Sequence, residues 1–146
     1  MKLSTKGRYA ARAMLELALR HGKGPILLKD IAKIQGVSTR YLERIMSVLV
    51  SAGLARSYRG HKGGFTLAKN PEEINLLQII QAVEGSIALV ECVDSPAYCE
   101  RSASCVAHEI WAGLKISMTG VLEAVTLGKM VELQLKKSSA AAGYHI

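Results

Sequence analysis

Gly36 sits between two short apolar repeats, and this arrangement narrows the folds open to the chain more than any other feature. Upstream, Leu28, Ile31, Ala32 and Gln35 recur at helical spacing; downstream, Leu42, Ile45, Met46 and Leu49 form a second stripe. The glycine closes the first helix by taking the left-handed conformation that a side chain disfavours. Two positions later Ser38 is a good N-cap, because its hydroxyl can accept from the unpaired N–H groups of the next turn. Such a short connection sets the second helix across the first, with the small Ala32 at a tight crossing. Thr39, Arg40, Glu43, Arg44 and Ser47 are then left on the opposite, polar face. Residues 54–59 and 65–67 read as two short strands around Gly60-His61-Lys62-Gly63-Gly64, whose glycines supply positive φ. Helix, turn, helix and basic hairpin together make a winged helix-turn-helix.

The remainder is mainly α. Tyr9, Ala13, Met14 and Leu17 mark a helix from Thr5 to about Leu19, stopped by Gly22 and Gly24-Pro25. Asn75, with Gln78 three residues on, opens another that runs through Ile79, Ile80 and Val83 to Gly85. Residues 86–104 are expected to be irregular. A long dimerisation helix is predicted from about Ser104 to Ala124, with Ile110, Leu114, Met118, Val121 and Val125 along one edge, then a short helix from Thr126 to Gln134. Lys136 to Ile146 has the small, polar composition of a mobile tail. Asn70-Pro71 suits a boundary, giving a winged domain over 1–70, a ligand-loop and dimerisation region over 71–135, and a tail over 136–146. A chain of 146 residues buries a core without disulfides, and 49% hydrophobic with only 5% aromatic residues suits close helix crossings.

Charge divides at the same point. Residues 1–70 hold 14 Lys or Arg against 3 Asp or Glu, a net +11, whereas residues 71–146 hold 5 against 9, a net −4. A folded basic half carrying a helix-turn-helix is the electrostatic footprint of double-stranded DNA binding. Arg40 and Arg44 suit guanine edges or phosphates, Ser38, Thr39 and Tyr41 suit the backbone, and Glu43 suits discrimination between operators, since a carboxylate repels phosphate unless it accepts from cytosine. Arg59, His61 and Lys62 form the wing, and Lys2, Lys6 and Arg8 are possible phosphate contacts. No paired acid and base, nucleophile motif or phosphate loop points to an enzyme. No apolar run reaches bilayer length and the N-terminus lacks the apolar core of a signal peptide, so a cytoplasmic protein without membrane contact is expected.

Three cysteines cannot all pair within one chain, and in a reducing compartment grouped thiols more often bind metal. Cys92, Cys99 and Cys105 fall within a short polar stretch, and His108 follows Cys105 at helical i,i+3 spacing. All four are expected to converge. Thiolates and an imidazole serve iron–sulfur clusters and zinc alike. Structural zinc sites usually have two to four residues between paired ligands, which the wide gaps between these cysteines do not supply. Glu91, Asp94 and Glu100 stand as substitutes for His108.

The chain resembles the IscR-type iron–sulfur-cluster regulators of bacteria. The likeness lies in Met1-Lys2-Leu3-Ser4-Thr5-Lys6-Gly7-Arg8-Tyr9-Ala10, Ser38-Thr39-Arg40-Tyr41-Leu42-Glu43, Arg59-Gly60-His61-Lys62-Gly63-Gly64-Phe65, the three cysteines with His108, Trp111, and Thr126-Leu127-Gly128. It implies a homodimer with crossing C-terminal helices, and a 2Fe-2S cluster in each subunit held by Cys92, Cys99, Cys105 and His108. It further implies loading by the iron–sulfur assembly machinery and cluster-dependent operator choice at cluster-biogenesis genes. The gap from Cys92 to Cys99 is one residue longer than in the best-known members and contains Pro96. Related regulators carry a 4Fe-4S cluster and sense nitric oxide, and a zinc-stabilised DNA-binding protein is the further alternative.

Overall fold

The computed structural model describes residues 2–143; Met1, which begins the first resemblance motif, and residues 144–146 of the expected tail lie outside the described residues. Helix α1 (Thr5–Leu19) starts where the Ser4 hydroxyl accepts from the Gly7 N–H at 3.1 Å. Its buried face is Gly7, Ala10, Ala13, Met14, Leu17 and Ala18, a stripe at i, i+3, i+4 and i+7. Helices α2 (Leu28–Gln35) and α3 (Thr39–Ser51) meet at Gly36, whose φ of +67° confirms the left-handed cap. Ser38 caps α3 by accepting from the Tyr41 N–H at 3.1 Å. Helix α3 buries Leu42, Ile45, Met46 and Leu49 against α1 and α2, as the periodicity requires.

Strands β1 (Ala55–Tyr58) and β2 (Gly64–Leu67) form the wing, antiparallel and in register from Ala55 opposite Leu67 to Tyr58 opposite Gly64. Ile26 adds a one-residue bridge on the other edge of β2, exchanging N–H···O bonds of 2.9 and 2.8 Å with Phe65. Gly64 has φ +133°, and a side chain there would collide with the Ile26 carbonyl. Glycine is therefore required for the wing to lie against the segment joining α1 to α2.

A 3-10 turn at Pro71–Glu73 leads to α4 (Leu76–Glu84), which opens with a reciprocal capping box between Asn75 and Gln78, both bonds 2.9 Å. Helix α5 (Glu91–Asp94), a 3-10 turn at Pro96–Tyr98, α6 (Val106–Ala124) and α7 (Leu127–Gly143) follow. Residues 86–104 are thus less irregular than their sequence implies, because short helical turns absorb backbone hydrogen bonds on either side of Pro96.

One core joins the two charge halves. Ile74, Ile79, Val83 and Leu127 are buried in the same cluster as Met14, Ile31, Leu42 and Leu49. The chain returns to that core through Asn75 and Thr126: the Leu127 N–H donates to Ile74 O and the Leu76 N–H to Val125 O, both at 2.8 Å. The sign of the charge changes at residue 70, whereas the packing continues across it. The tail expected over 136–146 is corrected for residues 136–143, which form the last turns of α7. Alanines at 140–142 and the i,i+4 pair of Glu132 with Lys136, 3.3 Å apart, supply the helical preference that a polar composition conceals.

Candidate nucleic-acid interface and metal centre

The polar face of α3 is presented to solvent. Ser38, Thr39, Arg40, Glu43 and Arg44 are all exposed, as are Arg59, His61 and Lys62 on the wing and Lys2, Lys6 and Arg8 at the N-terminus. Among the described residues every ion pair lies beyond residue 90, so none of these cations is neutralised by a carboxylate of the chain. They retain their charge for a polyanion. Tyr41 differs from its neighbours. It is half-buried, and its ring meets that of Tyr9 edge to face, the centroids 6.1 Å apart; the Arg12 guanidinium lies 5.6 Å from the Tyr9 ring. Its packing ties the start of α3 to α1.

Two cations went unnoticed in the sequence. Arg20 and Lys23, just after α1, line one groove with His61 and Lys62 of the wing. About 40 positions separate them along the chain, and the Ile26–Phe65 bridge helps to bring them together. No local pattern signals that.

At its far end, α1 is tied to α4. Glu84 accepts from the Ser4 N–H at 3.0 Å and from the Ser4 hydroxyl, so one carboxylate joins the end of α4 to the N-cap of α1. Helix α4 leads directly into the cysteine segment.

In that segment all three cysteines are half-buried free thiols. Cys92 lies in α5, Cys99 just after the 3-10 turn, Cys105 at the N-cap position of α6 and His108 in its first turn. The Cys92 Sγ is 3.4 Å from His108 Nδ1. Cys99 and His108 line a common hollow with Pro96, Ser102 and Ala103. The Ser102 hydroxyl, 2.8 Å from each of the Pro96 and Cys99 carbonyls, holds this turn together. Of the substitute ligands, Asp94 is engaged elsewhere: its carboxylate is 2.6 Å from the Lys115 ammonium. That hydrogen bond, with one from Ser86, holds the Asp94 carboxyl below the usual carboxylate range. Glu100 borders the hollow.

The expected convergence is therefore partial. His108 stands between Cys92 on one side and the Cys99 hollow on the other, but among the described residues no three His, Cys, Asp or Glu side chains meet around a point that could hold one metal ion. Cys105 is fixed by the start of α6, and residues 96–104 turn on their own hydrogen bonds. The donor set fits an iron–sulfur cluster by chemistry, with soft half-buried thiols and an imidazole at one helix junction.

Long stretches of α6 have no packing partner among the described residues. Val106, Ile110, Ile116 and Val121 are each more than half exposed, whereas Met118 and Leu122 pack against Leu77, Ile80 and Ile87. No helix among the described residues is long and apolar enough to cross a membrane.

Comparison with known proteins agrees with this architecture. The model of the Rrf2 family, described as iron-dependent transcriptional regulators, matches residues 3–133. The regulator IscR of Aliivibrio salmonicida is 39% identical over 131 residues, covering 90% of this chain and 77% of that one. Among solved structures, CymR (YrzC), the global cysteine regulator of B. subtilis, superposes with a TM-score of 0.77 at 38% identity, covering 91% of this chain and 98% of that one. The T. potens IscR does so with a TM-score of 0.74 at 39% identity, covering 90% and 87%. Basic recognition helix, pinned wing and family match lead to one conclusion: the chain belongs to the Rrf2 family, is of the IscR type, and is a DNA-binding transcription regulator and not an enzyme.

Proposed function

We propose that this regulator chooses its DNA operators according to a 2Fe-2S cluster held by Cys92, Cys99, Cys105 and His108, that it works as a homodimer in the reducing cytoplasm, and that it governs genes of iron–sulfur cluster biogenesis. The observation that carries the reading is the 3.4 Å approach of Cys92 Sγ to His108 Nδ1, which joins α5 to α6 beside the hollow bordered by Cys99. Bound there, a cluster loaded by the assembly machinery supplies a link between loop and helix that depends on iron supply and oxidation.

The chain's own residues do the rest. Deprotonated thiols and a neutral His108 imidazole bind, which makes retention sensitive to acid. With a cluster bound, Cys92, Cys99, Cys105 and His108 would hold residues 92–105 against α6, and α4, which leads into them, is fastened to the N-cap of α1 through Glu84 and Ser4. A small shift of α4 is thereby passed to the helices that carry α3. The exposed apolar side chains of α6 meet a second copy, so that two α3 helices enter successive major grooves about 34 Å apart and the wings reach the flanking minor grooves. Arg40 and Arg44 read base edges or phosphates, Ser38, Thr39 and Tyr41 set the register, and Glu43 rejects unsuitable operators. Arg59, His61 and Lys62 enter the minor groove, while Lys2, Lys6 and Arg8 contact phosphates.

Anaerobic purification and reconstitution, with a visible absorption spectrum and iron, sulfide and zinc analysis, tests the centre. About two iron and two sulfide per chain, the content of a 2Fe-2S cluster, are expected. Twice that content would redirect the reading to a 4Fe-4S sensor of nitric oxide or redox state, and a colourless protein containing only zinc would overturn it. The switch itself fails if apo and loaded protein bind every operator with equal affinity.

A further inference from the structure

We propose that Asp94 and Lys115 are positioning residues for the metal centre, an ion pair that holds α5 against α6 so that Cys92 stays beside His108. The inference rests on the cluster reading for its purpose, but its geometry stands apart from it.

Helix α5 has four residues and none is buried. From Ala88 to Thr126 no residue of the chain is buried; α6 rests on the core through Met118 and Leu122, whereas α5 has no core contact of that kind. Among the described residues, two side-chain contacts of hydrogen-bond or ion-pair range join α5 to α6: Cys92 Sγ with His108 Nδ1 at 3.4 Å and Asp94 Oδ1 with Lys115 Nζ at 2.6 Å. On α5 the two contributing residues are next-but-one neighbours. On α6, Lys115 lies two turns beyond His108, and residues at that spacing share a helix face. The ion pair and the ligand pair are therefore parallel fastenings of the same two elements.

Each partner of the ion pair is about a third exposed, 31% for Asp94 and 32% for Lys115. Such a pair adds little to global stability. Its influence is greater on a local opening, because a segment with few buried contacts opens without the rest of the fold and every remaining contact counts. Losing the pair leaves Cys92 held by its approach to His108 and by four residues of helix. The thiol then leaves the imidazole more often, with or without a bound cluster.

The test uses the full-length protein as wild type, Asp94→Ala, Lys115→Ala and the exchanged double variant Asp94→Lys/Lys115→Asp, with circular dichroism to check that helix content is unchanged. In the apoprotein, maleimide modification of Cys92 is followed by mass spectrometry. In the anaerobically reconstituted protein, decay of the visible absorbance is followed after addition of a chelator. Both rates are expected to rise about two- to fivefold in each single variant, the range open to a partly exposed pair. The double variant is expected to recover most of the difference, which simple loss of a side chain would not. Modification of Cys92 at the wild-type rate in both single variants overturns the proposal. So does unchanged cluster decay, or a double variant no better than the singles. If the wild type takes up no cluster, the functional reading above fails and the Cys92 rates alone decide this one.

Discussion

The reading head and the cysteine segment are built on opposite principles. Helices α1 to α3 are fixed by packing: Met14, Ile31, Leu42, Ile45, Met46 and Leu49 are at most 1% exposed, and glycines and serines settle the helix ends. Residues 88–105 bury nothing and are held by hydrogen bonds, one ion pair and one sulfur–imidazole contact. A packed core has a single arrangement and resists small perturbations, whereas a segment held by a few polar contacts moves between states that differ by little. Reading DNA needs the first property and responding to a ligand needs the second. The chain carries both, with residues 88–105 hung between α4 and α6; in the proposed function they are the part that responds.

The contrast can be broken at several points. The largest effect is expected from the shared core: Ile79→Ala, beyond residue 70 and fully buried, should cost about 2–5 kcal/mol and lower the whole unfolding transition by denaturant. A two-step curve in which residues 1–70 unfold unaffected would show that the halves are independent. Next, Arg40→Ala should lose about 1–3 kcal/mol of binding to the preferred operator and relax selection at one base pair. By contrast, the pair Arg20→Ala/Lys23→Ala should weaken binding to all sequences alike and reduce the log–log salt slope by about 2. Equal losses on all DNA for Arg40→Ala would move it from reading bases to holding phosphates. Ser38→Ala, which removes the cap of α3, should destabilise the apoprotein by about 1 kcal/mol. Smallest of all, Cys99→Ser should change apoprotein stability by less than about 0.5 kcal/mol while abolishing the coloured form; a large loss of stability would mean that the segment has a packing role after all.

Much of the reading head was legible because its determinants are local. Gly36 and Ser38 mark a helix end and a helix start within three residues, and the Asn75–Gln78 box lies within one turn. The wing was legible because Gly60, Gly63 and Gly64 fall together in one short turn. Thr126-Leu127-Gly128, noticed only as part of a resemblance, has a structural reason: Thr126 Oγ1 accepts from the Lys129 N–H at 3.0 Å, Leu127 is fully buried, and Gly128 leaves room for the Glu72 carboxylate. The tail misled because composition was weighed without the helix preference of its alanines.

The metal centre was legible as a donor set and not as a geometry. Three thiols and an imidazole announce soft-metal chemistry wherever they fall, but the structure gathers them only in part, pairing Cys92 with His108 and leaving Cys105 at the start of α6. By itself, the sequence determined most of the elements, their caps, the basic face and the candidate donor set, since each depends on side-chain chemistry and on spacing within a turn or two. Only the tertiary structure decided that one core spans the change of charge, that Arg20 and Lys23 join the wing, that Glu84 fastens α4 to α1, and that Lys115 pairs with Asp94 close to the Cys92–His108 contact. Those are contacts between residues distant along the chain, and burial and packing set their partners, leaving no periodicity in the sequence from which to read them.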